Sequence, residues 1–203
     1  MPLPRFHRLP AERQEHILAV ARGHFAEHGP EAASYNRIIE ATGVSKTAAY
    51  QYFDGREDLL AAVLDGVRER LLDALGPWVP AEDPEGFWAG LAAGSRALVS
   101  HLHANADDLA LAGAVVARTP DGEWPRWFDA VVGDGQRLGV VRTDIDRDLL
   151  VSATAAVFQA VDAWALAALR SGAPDTGDGE RQLRGLLRGL WSTPGDEVTG
   201  RAH

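Results

Sequence analysis

The sequence predicts an all-α protein of about nine helices, with a small N-terminal three-helix domain followed by a larger helical one. Three observations predict it. Apolar residues recur every three or four positions through most of the chain, the spacing of a helix face. Glycine and proline collect between these stretches, at Gly29-Pro30, Gly76-Pro77 and residues 171–179, where they stop helices. No segment carries the apolar–polar alternation of a strand. The expected divisions are residues 1–56, residues 57–193 and a polar tail, 194–203.

Residues 1–10 read as a mobile basic arm. Pro10 then opens a helix, with Glu12 and Glu15 near the positive end of its dipole. Ile17, Ala21, Phe25 and His28 form its stripe, and Gly29-Pro30 ends it. Ser34 suits the cap of a second helix that turns Ile38, Ile39 and Ala41 inward. Gly43 permits a positive φ at little cost, and Ser45 follows where an N-cap belongs. A third helix then runs from Lys46 to Tyr52 or Phe53, with Val44, Ala49 and Phe53 expected to pack inward.

The fourth helix, 57–75, has Leu60, Val63, Leu64, Val67, Leu71 and Leu75 as its stripe. Asp83 is placed to cap a fifth over 84–105, whose stripe includes Phe87, Leu91, Leu98 and Leu102. A shorter helix spans 107–118. Glu123-Trp124-Pro125 opens the next, which is expected to end among Gly133, Gly135 and Gly139. Two more cover 146–170 and 180–191, and the polarity of the tail predicts disorder.

Composition removes whole classes of function. With no cysteine, disulfides, zinc-thiolate sites and cysteine nucleophiles are excluded. Met1–Pro10 is short, basic and Pro-containing, with none of the apolar run of a secretory signal. No stretch approaches about 18 uninterrupted apolar residues, so a cytoplasmic location without a membrane partner is expected. The net charge of −9 opposes nucleic acid as a whole, but its distribution does not. Residues 1–56 hold seven Arg or Lys against six Asp or Glu, net +1; residues 57–203 hold thirteen against twenty-three, net −10. Attraction to phosphate must be local, from Arg5, Arg8, Arg37, Lys46 and Arg56, the first two of these on the arm.

The second and third helices meet at Gly43-Val44-Ser45, the layout of a helix-turn-helix that lays its second helix in a DNA major groove. Lys46 and Thr47 occupy the first turn, which reaches base edges: Lys46 can donate to guanine, and Thr47 can offer its hydroxyl or its methyl. Gln51 suits an adenine edge or a phosphate. Tyr50 and Tyr52 have hydroxyls suited to phosphate oxygens, and Arg56 opens the fourth helix near a phosphate. The competing readings are ordinary ones: a partly buried ring for Tyr50, solvated charges for Lys46 and Arg56.

The same stretch resembles the DNA-binding domain of the tetracycline-repressor (TetR) family. Ile38, the run from Ala41 to Lys46, Tyr50-x-Tyr52-Phe53 and Arg56-Glu57-x-Leu59-Leu60 carry the resemblance. It covers residues 10–60 by motif, and the run from Gly139 to Asp146 resembles the approach to the family's penultimate helix. It implies that Tyr35 and Asn36 also meet DNA. Thr47 stands where the family commonly has glycine, which implies an altered base preference. Ala49 stands where a larger aliphatic is common, which implies a thinner core under the recognition helix.

A single reader contacts one half-site, so a homodimer on palindromic double-stranded operator DNA is expected. The 146–170 helix is apolar on more than one face and must be covered on more than one side. The resemblance implies that it joins the last helix in an intersubunit four-helix bundle. Leu149, Val157, Trp164, Leu183, Leu187, Leu190 and Trp191 are the expected interface residues; the competing reading is that both helices finish the monomer core. The resemblance further implies a pocket whose small-molecule effector moves the fourth helix. Trp88, Ser95, His101, His103, Trp124, Trp127, Phe128, Phe158, Gln159 and Asp162 are the candidate lining, suited to an apolar or aromatic effector of unspecified identity. Ordinary core packing is the competing reading for each of them.

Catalysis, cofactors and metals find no support. His101 and His103 lie about 200° apart on a helix and cannot share one ion. Gly133-x-Gly135-x-x-x-Gly139 lacks both the spacing and the strand of a dinucleotide fingerprint. No Gly-x-Ser-x-Gly elbow is present. The leading expectation is a ligand-responsive repressor; the alternatives are an effector-independent regulator or activator, and a small-molecule sequestering protein.

Overall fold

The computed structural model describes residues 2–117, 123–171 and 178–193. Among these, nine α-helices and one 3₁₀ turn form without a strand. They are α1 (Ala11–His28), α2 (Tyr35–Ala41), α3 (Lys46–Tyr52), α4 (Arg56–Leu75), α5 (Pro84–Ala104), α6 (Ala106–Val116), α7 (Glu123–Arg137), α8 (Arg147–Arg170) and α9 (Asp178–Trp191). The expected 194–203 tail and most of the 171–179 loop lie outside the described residues.

The helix limits follow local chemistry. Gly29, Gly43, Gly76 and Gly139 all adopt positive φ, in line with the breaks expected there. Ser45 accepts from the Ala48 amide at 3.2 Å, Asp83 from Gly86 at 2.8 Å and Asp146 from Leu149 at 3.1 Å. Ser34 sits at the N-cap of α2 but makes no side-chain cap bond.

The chain folds as two compact units, Met1–Leu71 with Ser100–Arg118, and Leu72–Val99 with Thr119–His203. The first is built around Ile17, Phe25, Ile38, Phe53, Leu59 and Val67, each essentially buried. The expected mobile arm is corrected here: residues 6–8 form the 3₁₀ turn, and Phe6 is buried with its ring 4.8 Å from that of Phe53. The Leu3 amide also donates to the Tyr52 carbonyl at 2.8 Å. Burying a phenylalanine outweighs the freedom of a short arm. Ala41 is also corrected. It is exposed, and Thr42 is buried in its place, donating to the Ile39 carbonyl at 2.7 Å.

In the second unit Phe87, Val131, Leu150, Leu187 and Trp191 form the centre of the core. Trp191 Nε1 donates to Thr154 Oγ1 at 3.0 Å, so α9 is locked to α8 by a buried bond as well as by packing. Asp134 is buried too, and accepts from Trp78 Nε1 and the Ala81 amide at 3.0 and 2.9 Å and from Arg137. Gly133 and Gly135 do not end α7 but lie inside it. A Cβ on Gly135 would meet Val141 Cγ2 at 2.4 Å, so close packing requires glycine there, while one on Gly133 would meet the movable Arg147 guanidinium at 2.7 Å.

Among the described residues α8 is the one helix long and apolar enough, by length and composition, to cross a bilayer, with a mean hydropathy of 1.6. Alanine raises that mean although polar residues interrupt every apolar run. Within its unit 22% of that stretch is buried.

Candidate nucleic-acid interface

The turn between α2 and α3 is held from inside. Gly43 takes a φ of 68°, the Thr42 hydroxyl accepts from the Val44 amide at 3.4 Å, and Arg13 of α1 donates to the Thr42 carbonyl at 3.3 Å. Ala49 and Phe53 are buried beneath α3, and Val44 is half-buried. This leaves Lys46, Thr47, Tyr50 and Gln51 exposed on one side of α3, with Asn36 and Arg37 exposed on α2. Tyr50 is 61% exposed, so it is not a core ring.

Tyr35, Tyr52 and Arg56 are engaged within the unit, and Gln51, though exposed, also has a partner. Tyr35 packs its ring 5.8 Å from that of Tyr50, and its buried hydroxyl has no partner. Burial, with smaller contributions from Tyr50 and Asp58, pushes its phenol up to about 12. Gln51 accepts from Arg5 of the docked N-terminal segment. Tyr52 is half-buried with its ring 6.3 Å from Phe6. Arg56 faces inward: it donates to the Ala33 carbonyl at 3.0 Å and to the Pro30 carbonyl, pairs with Glu57 and lies over the Phe25 ring. Its guanidinium therefore ties the loop after α1 to the start of α4. Phe6, Arg13 and Thr42 escaped sequence reasoning, although Leu3, Phe6 and Leu9 repeat at the three-residue period of a 3₁₀ turn.

Residues 17–63 match the model of bacterial regulatory proteins, tetR family. The HTH-type transcriptional repressor AcnR of Corynebacterium glutamicum is 43% identical over 54 residues, 27% of this chain and 29% of that protein. The match to that relative thus spans less than a third of its length. AcnR of Corynebacterium diphtheriae is 33% identical over 162 residues, 74% of this chain and 78% of that protein. The chain belongs to the tetR family. A tetR family transcription regulator from Shewanella sp. PV-4 shares the fold, with a TM-score of 0.63, 14% identity, and coverage of 89% of this chain and 98% of that one.

Outside the part that the family model matches, the expected pocket residues do not form one group. Trp124, Trp127, Phe128 and Phe158 come together on α7 and α8, with centroids 5.2–6.1 Å apart between neighbours. Asp162 lies one turn after Phe158, half-buried, and burial pushes its carboxyl up to about 6. Gln159 is exposed. Trp88 and Ser95 line a different place, a cleft between α5 and α9. His101 belongs to the first unit, where its Nε2 lies 2.9 Å from Asp108 Oδ2, and His103 is exposed. Asp108 also receives Arg70 at 2.9 and 2.7 Å. Burial pushes the Asp108 carboxyl up, but the bonds from Arg70 and His101 and the Arg70 charge outweigh it, and the net shift is downward.

The expected dimer residues fall into three groups. Leu183, Leu187 and Trp191 are buried in their own unit, so they have no surface left for a partner; this corrects their assignment. Val157 and Leu190 are partly buried against the same core. Leu149 and Trp164 remain 62% and 51% exposed, joined by Leu186 at 51%.

Proposed function

We propose that this chain is a cytoplasmic DNA-binding transcriptional repressor. It binds a palindromic operator as a homodimer and is released by a small apolar or aromatic effector. One observation carries the reading: on α3, Lys46, Thr47, Tyr50 and Gln51 stand exposed over a helix anchored by buried Ala49. That is what reading base edges requires. Asn36 and Arg37 extend the same polar surface toward phosphates. Family membership and the similarity to AcnR, a repressor by name, support the sign of regulation.

Dimerisation is supported by the outer face of α8. Leu149, Ala156, Ala160, Ala163, Trp164 and Ala167 are exposed at helical spacing, an apolar stripe that water would penalise. On α9, Gly185 and Gly189 lie one turn apart, and a Cβ built on either meets nothing within 4 Å. That leaves room for a second helix to approach closely. The aromatic cluster of Trp124, Phe128 and Phe158 supports an effector site in the second unit. Through α4, whose residues belong to both units, occupancy of that site shifts the population of the DNA-competent state.

A band shift on the DNA upstream of its own gene tests the reading. The wild type should retard this DNA, and Lys46→Ala with Tyr50→Ala should abolish the shift while circular dichroism and dimer mass stay unchanged. Retention of the shift by that folded variant would refute it. A thermal-shift screen followed by release from DNA then separates an effector-dependent repressor from an effector-independent one.

A further inference from the structure

Helices α5 and α9 face each other with matched ladders. Trp88, Ala92 and Arg96 stand one turn apart on α5, and Glu180, Arg184 and Arg188 one turn apart on α9. Arg96 meets Glu180 at 3.5 Å, while Arg184 and Arg188 lie 4.9 and 5.7 Å over the Trp88 ring, so the helices run antiparallel. Between them lies a shallow, solvent-open cleft of about 610 Å³. Beneath it a notch of about 20 Å³ reaches Leu183 and Leu187.

The chemistry of this cleft is uneven. Trp88, Ala89 and Ala92 give it an apolar strip, and the small Ala92 side chain leaves the notch to Leu183 and Leu187 open. At one end Arg96 is neutralised by Glu180. At the other, Arg184 and Arg188 have no carboxylate partner among the described residues, and both guanidinium groups lie over the indole face. An indole holds guanidinium groups by cation–π attraction but leaves their N–H donors free. Two exposed guanidinium groups without a carboxylate partner, beside an apolar strip, suit a ligand with a charged head and a greasy body. Arg96, Arg184 and Arg188 face Glu85 and Glu180 around the cleft, a balance of +1 that one negative charge cancels. A monoanion fits this balance better than a phosphate monoester, which would leave excess negative charge.

We propose that the α5–α9 cleft is a binding site for an aliphatic monocarboxylate, whose carboxylate bridges Arg184 and Arg188 and whose chain lies along Ala92 toward Leu183 and Leu187. The site is separate from the aromatic cluster between α7 and α8, and it stands whether or not the protein binds an operator.

Calorimetric titration of the full chain with octanoate, and with octan-1-ol as its uncharged counterpart, tests the site. Octanoate should bind saturably at one per chain, at least tenfold more tightly than the alcohol. Arg184→Gln with Arg188→Gln should bring octanoate down to the level of the alcohol, and Ala92→Trp should block both by filling the notch. Circular dichroism confirms that each variant is folded. No saturable octanoate binding by the wild type, equal affinity for acid and alcohol, or an unchanged affinity in the double arginine variant would each overturn the proposal. Failure here leaves the band shift unaffected, and failure of the band shift leaves this titration readable.

Discussion

At the scale of single residues, position in the fold separates side chains that composition makes alike. Arg56 and Lys46 are both cations of the helix-turn-helix region, yet Arg56 is spent on the Pro30 and Ala33 carbonyls while Lys46 stands in solvent. Carboxylates divide in the same way. Asp108 is buried but receives Arg70 and His101, which holds its carboxyl below the usual range. Asp162 has burial alone acting on it and is pushed up to about 6. A folded-state value raised above the ordinary 3.8 favours the native state while the group is protonated, and this contribution is lost as pH rises through about 6. Above that pH the ionised carboxylate weighs against folding. Asp162→Asn should therefore stabilise the protein at pH 7.5 by about 1–2 kcal/mol, a figure discounted for its partial exposure, and gain nothing at pH 4. Urea titrations at the two pH values decide it; an equal gain at both would contradict the assignment.

At the scale of elements, most helices were legible because their signals are local. Gly43, Ser45, Asp83 and Asp146 act within four residues of themselves, and each bounds a helix where expected. Three features were not legible this way. Phe6 docks on Phe53, forty-seven positions along the chain, so no window around the first ten residues contains its partner. The helix expected to end among Gly133, Gly135 and Gly139 does end at Arg137, but Gly133 and Gly135 lie inside it, where they lie against Arg147 and Val141. Thr42 exchanges places with Ala41 because its hydroxyl is satisfied by the Ile39 carbonyl. The N-terminal 3₁₀ turn is thus part of the DNA-reading unit. Phe6→Ala should destabilise that unit by about 3 kcal/mol, the usual cost of emptying a buried phenylalanine site. Thermal unfolding followed by circular dichroism should show the loss; a change within 0.5 kcal/mol, the ordinary surface range, would mean the segment is only loosely held.

At the scale of the whole molecule, charge and apolar surface are divided between tasks. The net −9 resides outside the first fifty-six residues, so DNA attraction falls to a few exposed cations and should be salt-sensitive. The stripe with Leu149 and Trp164 on α8 requires a cover, which the proposed homodimer supplies. Trp164→Glu with Leu149→Arg should give a monomer by light scattering, with retained helicity and much weaker operator binding. A stable dimer in that variant would place the interface elsewhere.

The amino-acid sequence by itself determined where most helices begin and end, which face of most of them is apolar, and that a glycine turn at Gly43 joins α2 to α3. These are consequences of backbone sterics and of bonds spanning a single turn. Only the tertiary structure decided which apolar faces meet inside a unit and which are left over. Leu187 and Trp191 are consumed by the core while Leu149 and Trp164 remain outside, although all four looked equally suited to an interface or a core. The physical reason is range. Burial depends on partners brought together from distant parts of the chain, such as Trp191 with Thr154 and Phe87, and no local spacing encodes that choice.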